Sequence, residues 1–195
     1  MHPEVAQFLV KRCEIDWTDA TVFEVGSLDV NGQARDYVPR TWTRWVGFDL
    51  VEGPGVDYVG DAAKLLRKVG RCDVMVSTEV LEHDPNWGQL LKTMCKVTRP
   101  KGWMLLTCAG KGREPHAAYG SDGGPLEGEH YRNVGLHEVE AVCAKHGFTQ
   151  VYGEEGPPGD TRYLGRKHSH LLRRTAGRVK RKLYAVSRKL GLRKA

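Results

Sequence analysis

The chain has 195 residues, 40% hydrophobic and 28% charged, a balance typical of one globular domain rather than of a disordered or fibrous protein. Its five cysteines are widely spaced, odd in number and without a C-x-x-C pair, so the sequence predicts neither a disulfide framework nor a metal site. No apolar run approaches the roughly 20 residues that cross a bilayer, and the first residues lack a signal-like apolar region. We therefore expect a cytoplasmic protein that is neither secreted nor membrane-spanning.

The net charge of +6 is unevenly distributed along the chain. Residues 166–195 carry 12 Lys or Arg and no acid, which leaves residues 1–165 with 18 basic and 24 acidic side chains. Apolar residues recur at helical spacing within this tail, which predicts a basic amphipathic helix. They are Val179, Leu183, Val186 and Leu190. Such a tail could bind RNA or an anionic membrane surface, or it could be a solvated chain end. The sequence does not decide between these alternatives.

The first third of the chain predicts one helix and three strands. Pro3 to Arg12 has apolar residues at helical spacing and predicts a leading helix, whereas the β-branched and aromatic Thr21 to Val25 predicts a buried strand. Gln33 to Pro39 has room for one or two helical turns. Two further strands are expected at Trp45–Asp49 and Val56–Val59. The gap between them is too short for a full crossover helix.

The middle of the chain alternates between helix and strand. A helix is predicted at Ala62–Val69 and a strand at Asp73–Ser77, where a near-continuous apolar run indicates burial on both faces of a sheet. Asp84-Pro85 is expected to cap and open a helix that runs to about Thr98 and is closed by Pro100 and Gly102. A fifth strand is expected at Trp103–Cys108. A long loop over Ala109–Asn133 follows, and loops of that length usually carry function.

The end of the body predicts a helix at Leu136–His146 and two strands, Thr149–Tyr152 and Arg162–Gly165, joined by Gly153–Asp160. Alternating strands and helices indicate a doubly wound, Rossmann-like α/β fold with a mostly parallel sheet, in which ligands bind at the carboxyl ends of the strands. The predicted organisation is one domain over residues 1–165, followed by the basic helical tail.

Acids and glycines stand where the first three predicted strands end. Glu24 and Gly26 close the first strand, and a glycine there lets the backbone approach a ligand closely. Asp49 closes the second strand, 25 residues after Glu24, where a carboxylate can accept from both hydroxyls of a ribose. Gly60-Asp61 closes the third, and Asp61 can accept from an adenine amine, cap the next helix, or do both.

A polar, acidic run, STEVLEH over Ser77–His83, interrupts the fourth strand. Together with the three earlier elements it resembles class I S-adenosylmethionine-dependent methyltransferases over roughly Thr21 to Tyr152. The resemblance implies a Rossmann-like fold, methyl transfer and S-adenosylmethionine as the cofactor. It assigns ribose binding to Asp49 and adenine binding to Asp61. The full set of cofactor-binding residues that it implies is Glu24, Gly26, Ser27, Gly32, Asp49, Leu50, Gly60, Asp61, Ala62, Thr78 and Glu79.

The chain departs from the family pattern in two places. The family's glycine-rich run has further glycines two and four residues after Gly26, where this chain has Leu28 and Val30, and Gly32 follows later. The loop is therefore expected to be longer or differently shaped. The helix usually found between the second and third strands is also expected to be missing.

A hydroxyl acceptor would be activated by a general base, and His83 and His130 are the candidates because imidazole titrates near neutral pH. Each has a second interpretation, since His83 can simply bond backbone and His130 can simply order the loop. His116, Tyr131 and Arg132 lie on the same loop and are candidates for substrate contact.

The acceptor is less well defined by the sequence than the cofactor. STEVLEH is not the Asn/Asp-Pro-Pro-aromatic run of many amine methyltransferases, so a small-molecule or sugar hydroxyl is favoured over a DNA amine. An RNA methyltransferase that binds phosphates through its tail is the main enzymatic alternative. A cofactor-binding protein without turnover is another. A nicotinamide dehydrogenase is disfavoured because the G-x-G-x-x-G run is missing.

Overall fold

The computed structural model describes residues 3–12, 14–119 and 123–169. Seven strands within this part of the chain form one sheet. In chain order they are β1 (Thr21–Val25), β2 (Arg44–Asp49), β3 (Tyr58–Val59), β4 (Cys72–Thr78), β5 (Thr98–Ala109), β6 (Phe148–Gly156) and β7 (Asp160–Lys167). Their order across the sheet is β3-β2-β1-β4-β5-β7-β6. The first five strands pair in parallel, whereas β7 pairs antiparallel with both β5 and β6.

Helices cover both faces of the sheet. In chain order they are α1 (Pro3–Val10), α2 (Ala62–Val69), α3 (Trp87–Val97) and α4 (Leu136–Lys145), with short 3-10 helices at Ala34–Asp36 and Leu81–His83. The predicted Rossmann-like α/β architecture with a mostly parallel sheet is therefore confirmed. No helix in the described ranges is both long enough and apolar enough to span a membrane.

Alternation along the central strands divides the core into two layers. Phe23 of β1 packs into a cluster with side chains of α2, α3 and α4. Val22, its neighbour, points to the opposite face and packs with α1 residues such as Phe8. Successive strand residues face opposite sides of a sheet, so one short strand contributes to both layers.

The connection between β2 and β3 is short, as predicted. Residues 50–57, all of which are described, contain no helix. Asp57 folds back onto β2, where its carboxylate accepts from the backbone nitrogen of Gly47 at 2.7 Å. Because Asp57 makes this contact, β3 begins only at Tyr58 and is shorter than the predicted Val56–Val59.

The prediction that Asp84-Pro85 opens the third long helix is wrong. The Asp84 carboxylate accepts from the backbone nitrogen of Asn86 at 2.6 Å. The backbone carbonyl of Asp84 accepts from the backbone nitrogen of Trp87 at 3.0 Å. These bonds form a turn ahead of α3, which begins at Trp87. Aspartate favours such local side-chain turns for the same reason that it favours helix caps.

The start of β5 also differs from the prediction, since Pro100 and Gly102 lie inside the strand rather than ahead of it. Thr98 pairs with Cys72, and regular pairing resumes at Trp103 with Val74. The shift of register between these pairs makes a β-bulge, and bulges accommodate a proline that cannot donate to the ladder.

The last two strands are longer than predicted and form an antiparallel hairpin. Residues 157–159 join them, so most of the predicted connection Gly153–Asp160 is strand. β7 continues to Lys167, and the predicted boundary after residue 165 therefore falls inside a strand. Residues 170–195, which hold most of the predicted basic tail, lie outside the described residues.

Candidate active site

The candidate site lies at the edge where the parallel strands end. Val25 of β1 is in register with Phe48 of β2 and Ser77 of β4, and Ser77 is in register with Leu106 of β5. The segments that follow these residues therefore leave the sheet at one edge. In open α/β sheets this is the edge at which ligands bind.

Gly26 occupies a position that only glycine fills without strain. Its φ is +79°, and a Cβ placed on it would lie 2.1 Å from Cγ2 of Val80. Its backbone nitrogen donates to the carbonyl of Phe48 at 2.9 Å. The loops after β1 and β4 thus approach each other closely, as the predicted motif requires.

The loop after Gly26 is shaped by local hydrogen bonds. Ser27 is buried, and within the described chain its hydroxyl has no hydrogen-bond partner. The backbone nitrogen of Gly32, whose φ is +96°, donates to Asp29 at 2.8 Å. The predicted longer loop is therefore present, and Gly32 turns it towards the 3-10 helix at Ala34–Asp36. Cofactor contacts of Ser27 and Gly32 stay predictions.

Asp49 is 8% exposed and has three hydrogen-bond donors around it. One oxygen accepts from the backbone nitrogen of Leu28 at 3.1 Å. The other accepts from the backbone nitrogen of Val51 at 3.1 Å and from the hydroxyl of Tyr119 at 3.2 Å. Leu50, which follows, is 68% exposed. This carboxylate already binds one hydroxyl, which is the kind of partner that a ribose offers.

The segment Gly60–Ala62 lies next to Asp49 at the start of α2. The backbone nitrogen of Gly60 donates to the Asp49 carbonyl at 2.7 Å. Asp61 caps the helix by accepting from the backbone nitrogen of Ala63 at 2.9 Å, and it pairs with Lys64 at 3.1 Å. The capping interpretation of Asp61 is therefore confirmed. Its carboxylate stays exposed, so cap and ligand contact are compatible.

Glu24 is 1% exposed, and both of its oxygens are used inside the protein. One accepts from the indole nitrogen of Trp45 at 2.7 Å, the other from the backbone nitrogen of Ala34 at 3.3 Å, and Arg35 lies 3.9 Å away. The carboxylate thus ties the loop after β1 to β2. Burial raises the pKa of Glu24 to about 7, and the Trp45 bond and the Arg35 charge oppose that rise.

The raised pKa of Glu24 predicts a pH-dependent stability. Because the folded state holds this proton more tightly than the unfolded state, the free energy of unfolding should fall as pH rises from about 4.5 to about 7, by roughly 3 kcal/mol. Glu24→Gln should remove that fall. Denaturant unfolding of both proteins between pH 4 and 8 measures it. If the free energy of unfolding depends on pH in the same way in both proteins, Glu24 is not the group responsible.

The run after β4 places two further acids at the site. Glu79 has φ +57°, and its carboxylate accepts from the Thr107 hydroxyl at 2.8 Å. Glu82 is completely buried, and its Oε1 accepts from the backbone nitrogen of Ala109 at 2.9 Å. Burial, followed by the nearby charge of Glu79, raises the pKa of Glu82 well above its usual value. Thr78, at the end of β4, is buried beside them.

Three rings from distant parts of the sequence meet next to Glu82. The rings of His83 and His116 are 5.2 Å apart, and Tyr131 lies 5.6 Å from His83 and 5.1 Å from His116. Burial, followed by the neighbouring His116, lowers the pKa of His83, which favours its neutral form. Burial raises the pKa of Tyr131 far above its usual value. The long loop thus brings His116 and Tyr131 to His83.

The other loop candidates have different surroundings. Nε2 of His130 is buried and has no hydrogen-bond partner among the described residues. Arg132 pairs with Glu138 at 2.6 Å and lies over the ring of Trp87 at 5.4 Å. Arg132 therefore anchors the loop to α4 and α3.

Two residues of the site were not assigned a role by the sequence reasoning. Tyr119 reaches Asp49 from the long loop, and no sequence signal points to that contact. Glu82 is part of the EVLEH run, but its complete burial depends on how β5 covers it. The available signal was an acid directly after the apolar Leu81 in the run that follows β4.

The residues present fit S-adenosylmethionine. A carboxylate at the end of β2 accepts hydroxyls, a second carboxylate opens α2, and a glycine with left-handed backbone brings the β1 loop close to the β4 loop. Adenine, ribose and a charged amino-acid end need acceptors of this kind along one edge of a sheet. The fold and the site therefore define a class I methyltransferase.

Comparison with known proteins agrees with this class. Residues 16–152 match the family model described as a methyltransferase domain, so the chain belongs to that family, and its cofactor is S-adenosylmethionine. No curated protein sequence matches the chain.

Solved structures show the same fold at low identity. A 1,6-didemethyltoxoflavin-N1-methyltransferase from Burkholderia thailandensis is 20% identical, with a TM-score of 0.56, covering 86% of this chain and 78% of that one. An S-adenosylmethionine-dependent methyltransferase from Clostridium acetobutylicum is 9% identical, with a TM-score of 0.61 and coverages of 87% and 93%. The [4+2]-cyclase SpnF is 14% identical, with a TM-score of 0.62 and coverages of 85% and 80%.

Proposed function

We propose that the protein transfers a methyl group from S-adenosylmethionine to a hydroxyl of a small molecule or sugar. The observation that carries the proposal is the cluster of His83, His116 and Tyr131 at the same sheet edge as Asp49. A neutral imidazole at this place can take the proton of an attacking hydroxyl. The 1,6-didemethyltoxoflavin bound to the Burkholderia neighbour supports a small acceptor, although that protein is described as an N1-methyltransferase.

His83 has the better geometry of the two candidate bases. Its Nδ1 is buried and has no hydrogen-bond partner in the described chain, so the protein itself does not occupy that nitrogen. A neutral imidazole carries one lone pair that can accept a proton. Burial, the largest cause, lowers the pKa of His83 and so favours this neutral form.

When bound, S-adenosylmethionine supplies a methyl group on a sulfonium sulfur, which leaves with the bonding electrons as a neutral thioether. The acceptor oxygen forms the new bond to carbon, and its proton passes to the imidazole. Asp49 and Asp61 hold the nucleoside end, and the long loop shields the cluster from water. The protein's contribution is mainly alignment, which alone is worth several kcal/mol in such displacements.

The test is methyl transfer to a panel of small hydroxyl compounds, sugars and bulk RNA, read by mass spectrometry of the products. We expect a methylated small hydroxyl or sugar. His83→Gln should lower kcat by about 100-fold or more, and the wild-type rate should rise with pH through a pKa below 6.5. His137→Gln, which changes an exposed histidine on α4, should have no effect.

Other outcomes would separate the alternatives. If His130→Gln is inactive and His83→Gln is active, the general base is His130. Methylated RNA with unmodified small molecules would favour the RNA alternative. Tight cofactor binding without any product would favour a binding protein.

A further inference from the structure

The cluster that Glu82 forms with His83 and His116 has a composition that an acid–base role does not explain. Glu82, His83 and His116 each direct one potential ligand atom towards the others, and these atoms all lie within 4.8 Å of one another. Ligands of one transition-metal ion at 2.0 to 2.2 Å from it lie roughly 3 to 4 Å apart, so small side-chain adjustments close the set. Two imidazoles and one carboxylate are a common ligand set for such ions.

Two polar atoms of these three side chains are buried and unsatisfied. Oε2 of Glu82 and Nδ1 of His83 have no hydrogen-bond partner in the described part of the chain. Glu82 is completely buried, and a buried polar atom without a partner is costly. A cation between these atoms would satisfy both at once.

The outer contacts orient the ligands in the way that metal sites do. Oε1 of Glu82 is held by the backbone nitrogen of Ala109, whereas Oε2 has no hydrogen-bond partner among the described residues. Nδ1 of His116 lies 3.1 Å from the Glu114 carbonyl. Histidine ligands usually donate their second ring nitrogen to such a carbonyl, which fixes the tautomer.

The local charge also favours a cation. Glu79 stands three residues before Glu82 in the same run, and its carboxylate accepts from the Thr107 hydroxyl at 2.8 Å, so a second acid lies in the segment that carries the group. Two cations of the long loop are paired with other acids, since Arg132 pairs with Glu138 and Arg113 pairs with Asp160.

We propose that Glu82, His83 and His116 bind one divalent transition-metal ion, such as Zn²⁺ or Co²⁺, beside the methyl-acceptor position. The sequence reasoning expected no metal because it considered cysteine spacing, whereas this set forms only when the long loop folds back onto the EVLEH run. Open coordination positions would hold the acceptor oxygen and lower the pKa of its hydroxyl. That use of the ion rests on the proposed function; the binding site itself does not.

In the metal-bound form His83 would be a ligand, and the proton of the metal-bound acceptor hydroxyl would be released to water rather than to His83. The two roles of His83 therefore differ in a measurable way. Activity that depends on His83 as a base is insensitive to a chelator, whereas activity that depends on the ion is lost in the chelator and restored by Zn²⁺ or Co²⁺.

The binding test uses the full chain without an affinity tag, stripped with a chelator and dialysed against Zn²⁺, Co²⁺ or Mg²⁺. We expect one equivalent of Zn²⁺ or Co²⁺ per chain, weak binding of Mg²⁺, and a visible Co²⁺ absorption band that reports nitrogen ligation. Glu82→Gln, His83→Gln and His116→Gln should each weaken binding by at least about tenfold. His137→Gln should bind like wild type.

The variants are chosen so that the fold is preserved. Gln at position 82 can still accept from Ala109, and cooperative unfolding together with S-adenosylhomocysteine binding checks each protein. Absence of saturable Zn²⁺ and Co²⁺ binding, or equal affinity in wild type and the three variants, would overturn the proposal. Because neither cofactor nor acceptor is needed, metal binding with no methyl transfer would refute only the proposed function.

Discussion

Asp49→Ala is expected to weaken binding of S-adenosylmethionine and S-adenosylhomocysteine by about 100-fold or more. The carboxylate offers two acceptor oxygens at the end of β2, and hydrogen bonds to a charged group contribute roughly 1.5 to 3 kcal/mol each. Isothermal titration with both ligands and with NAD measures the effect. The wild type should bind the adenosyl ligands in preference to NAD.

Two matched variants separate recognition from structural damage. Asp49→Asn keeps one acceptor oxygen and should lose less affinity than Asp49→Ala. Glu52→Gln removes an exposed charge three residues along the chain and should bind like wild type. Unchanged affinity in Asp49→Ala would mean that the nucleoside binds elsewhere, whatever the fold.

Gly26→Ala is expected to destabilise the protein by about 2 to 5 kcal/mol. Its left-handed backbone costs a non-glycine residue about 1 to 2 kcal/mol, and the new methyl would overlap the Val80 side chain, an overpacking worth about 1 to 3 kcal/mol. Denaturant unfolding gives the total. The variant should also lose affinity for the cofactor, since the loops after β1 and β4 must separate.

The two contributions at Gly26 can be measured separately. Gly112 has φ +88° with nothing within 4 Å of its Cβ position, so Gly112→Ala reports the backbone cost alone. In the Val80→Ala background, Gly26→Ala should lower the free energy of unfolding by less than it does in the wild type. If Gly26→Ala and Gly112→Ala lower the free energy of unfolding by equal amounts, the Val80 side chain moves away from the new methyl group without an energetic cost.

The parts of the fold that the sequence predicted best are those fixed by local patterns. Thr21–Val25 and Ala62–Val69 have the predicted ends because a β-branched run and a capped amphipathic run each carry their own signals. The start of α3 was mispredicted because Asp84 makes a turn instead of a cap. The ends of β5, β6 and β7 depend on pairing with distant strands, which no local pattern encodes.

The same distinction applies to the site. The positions of Asp49 and Gly26 at the end of their strands were predictable because each strand has a recognisable pattern. The meeting of His116 and Tyr131 with His83 was not, because it depends on the path of a loop without regular secondary structure. Glu24 lies where predicted but is more deeply buried than a ligand-facing acid, since Trp45 and the Ala34 nitrogen both bind it.

The contact between Tyr119 and Asp49 has a consequence for the long loop if Asp49 binds the ribose as proposed. A ribose hydroxyl at this oxygen would compete with the Tyr119 hydroxyl, so cofactor binding and release of the tyrosine would be thermodynamically linked. His116 is only three residues from Tyr119 in the chain and contacts His83. Release of Tyr119 would therefore act on the segment that places His116 beside His83.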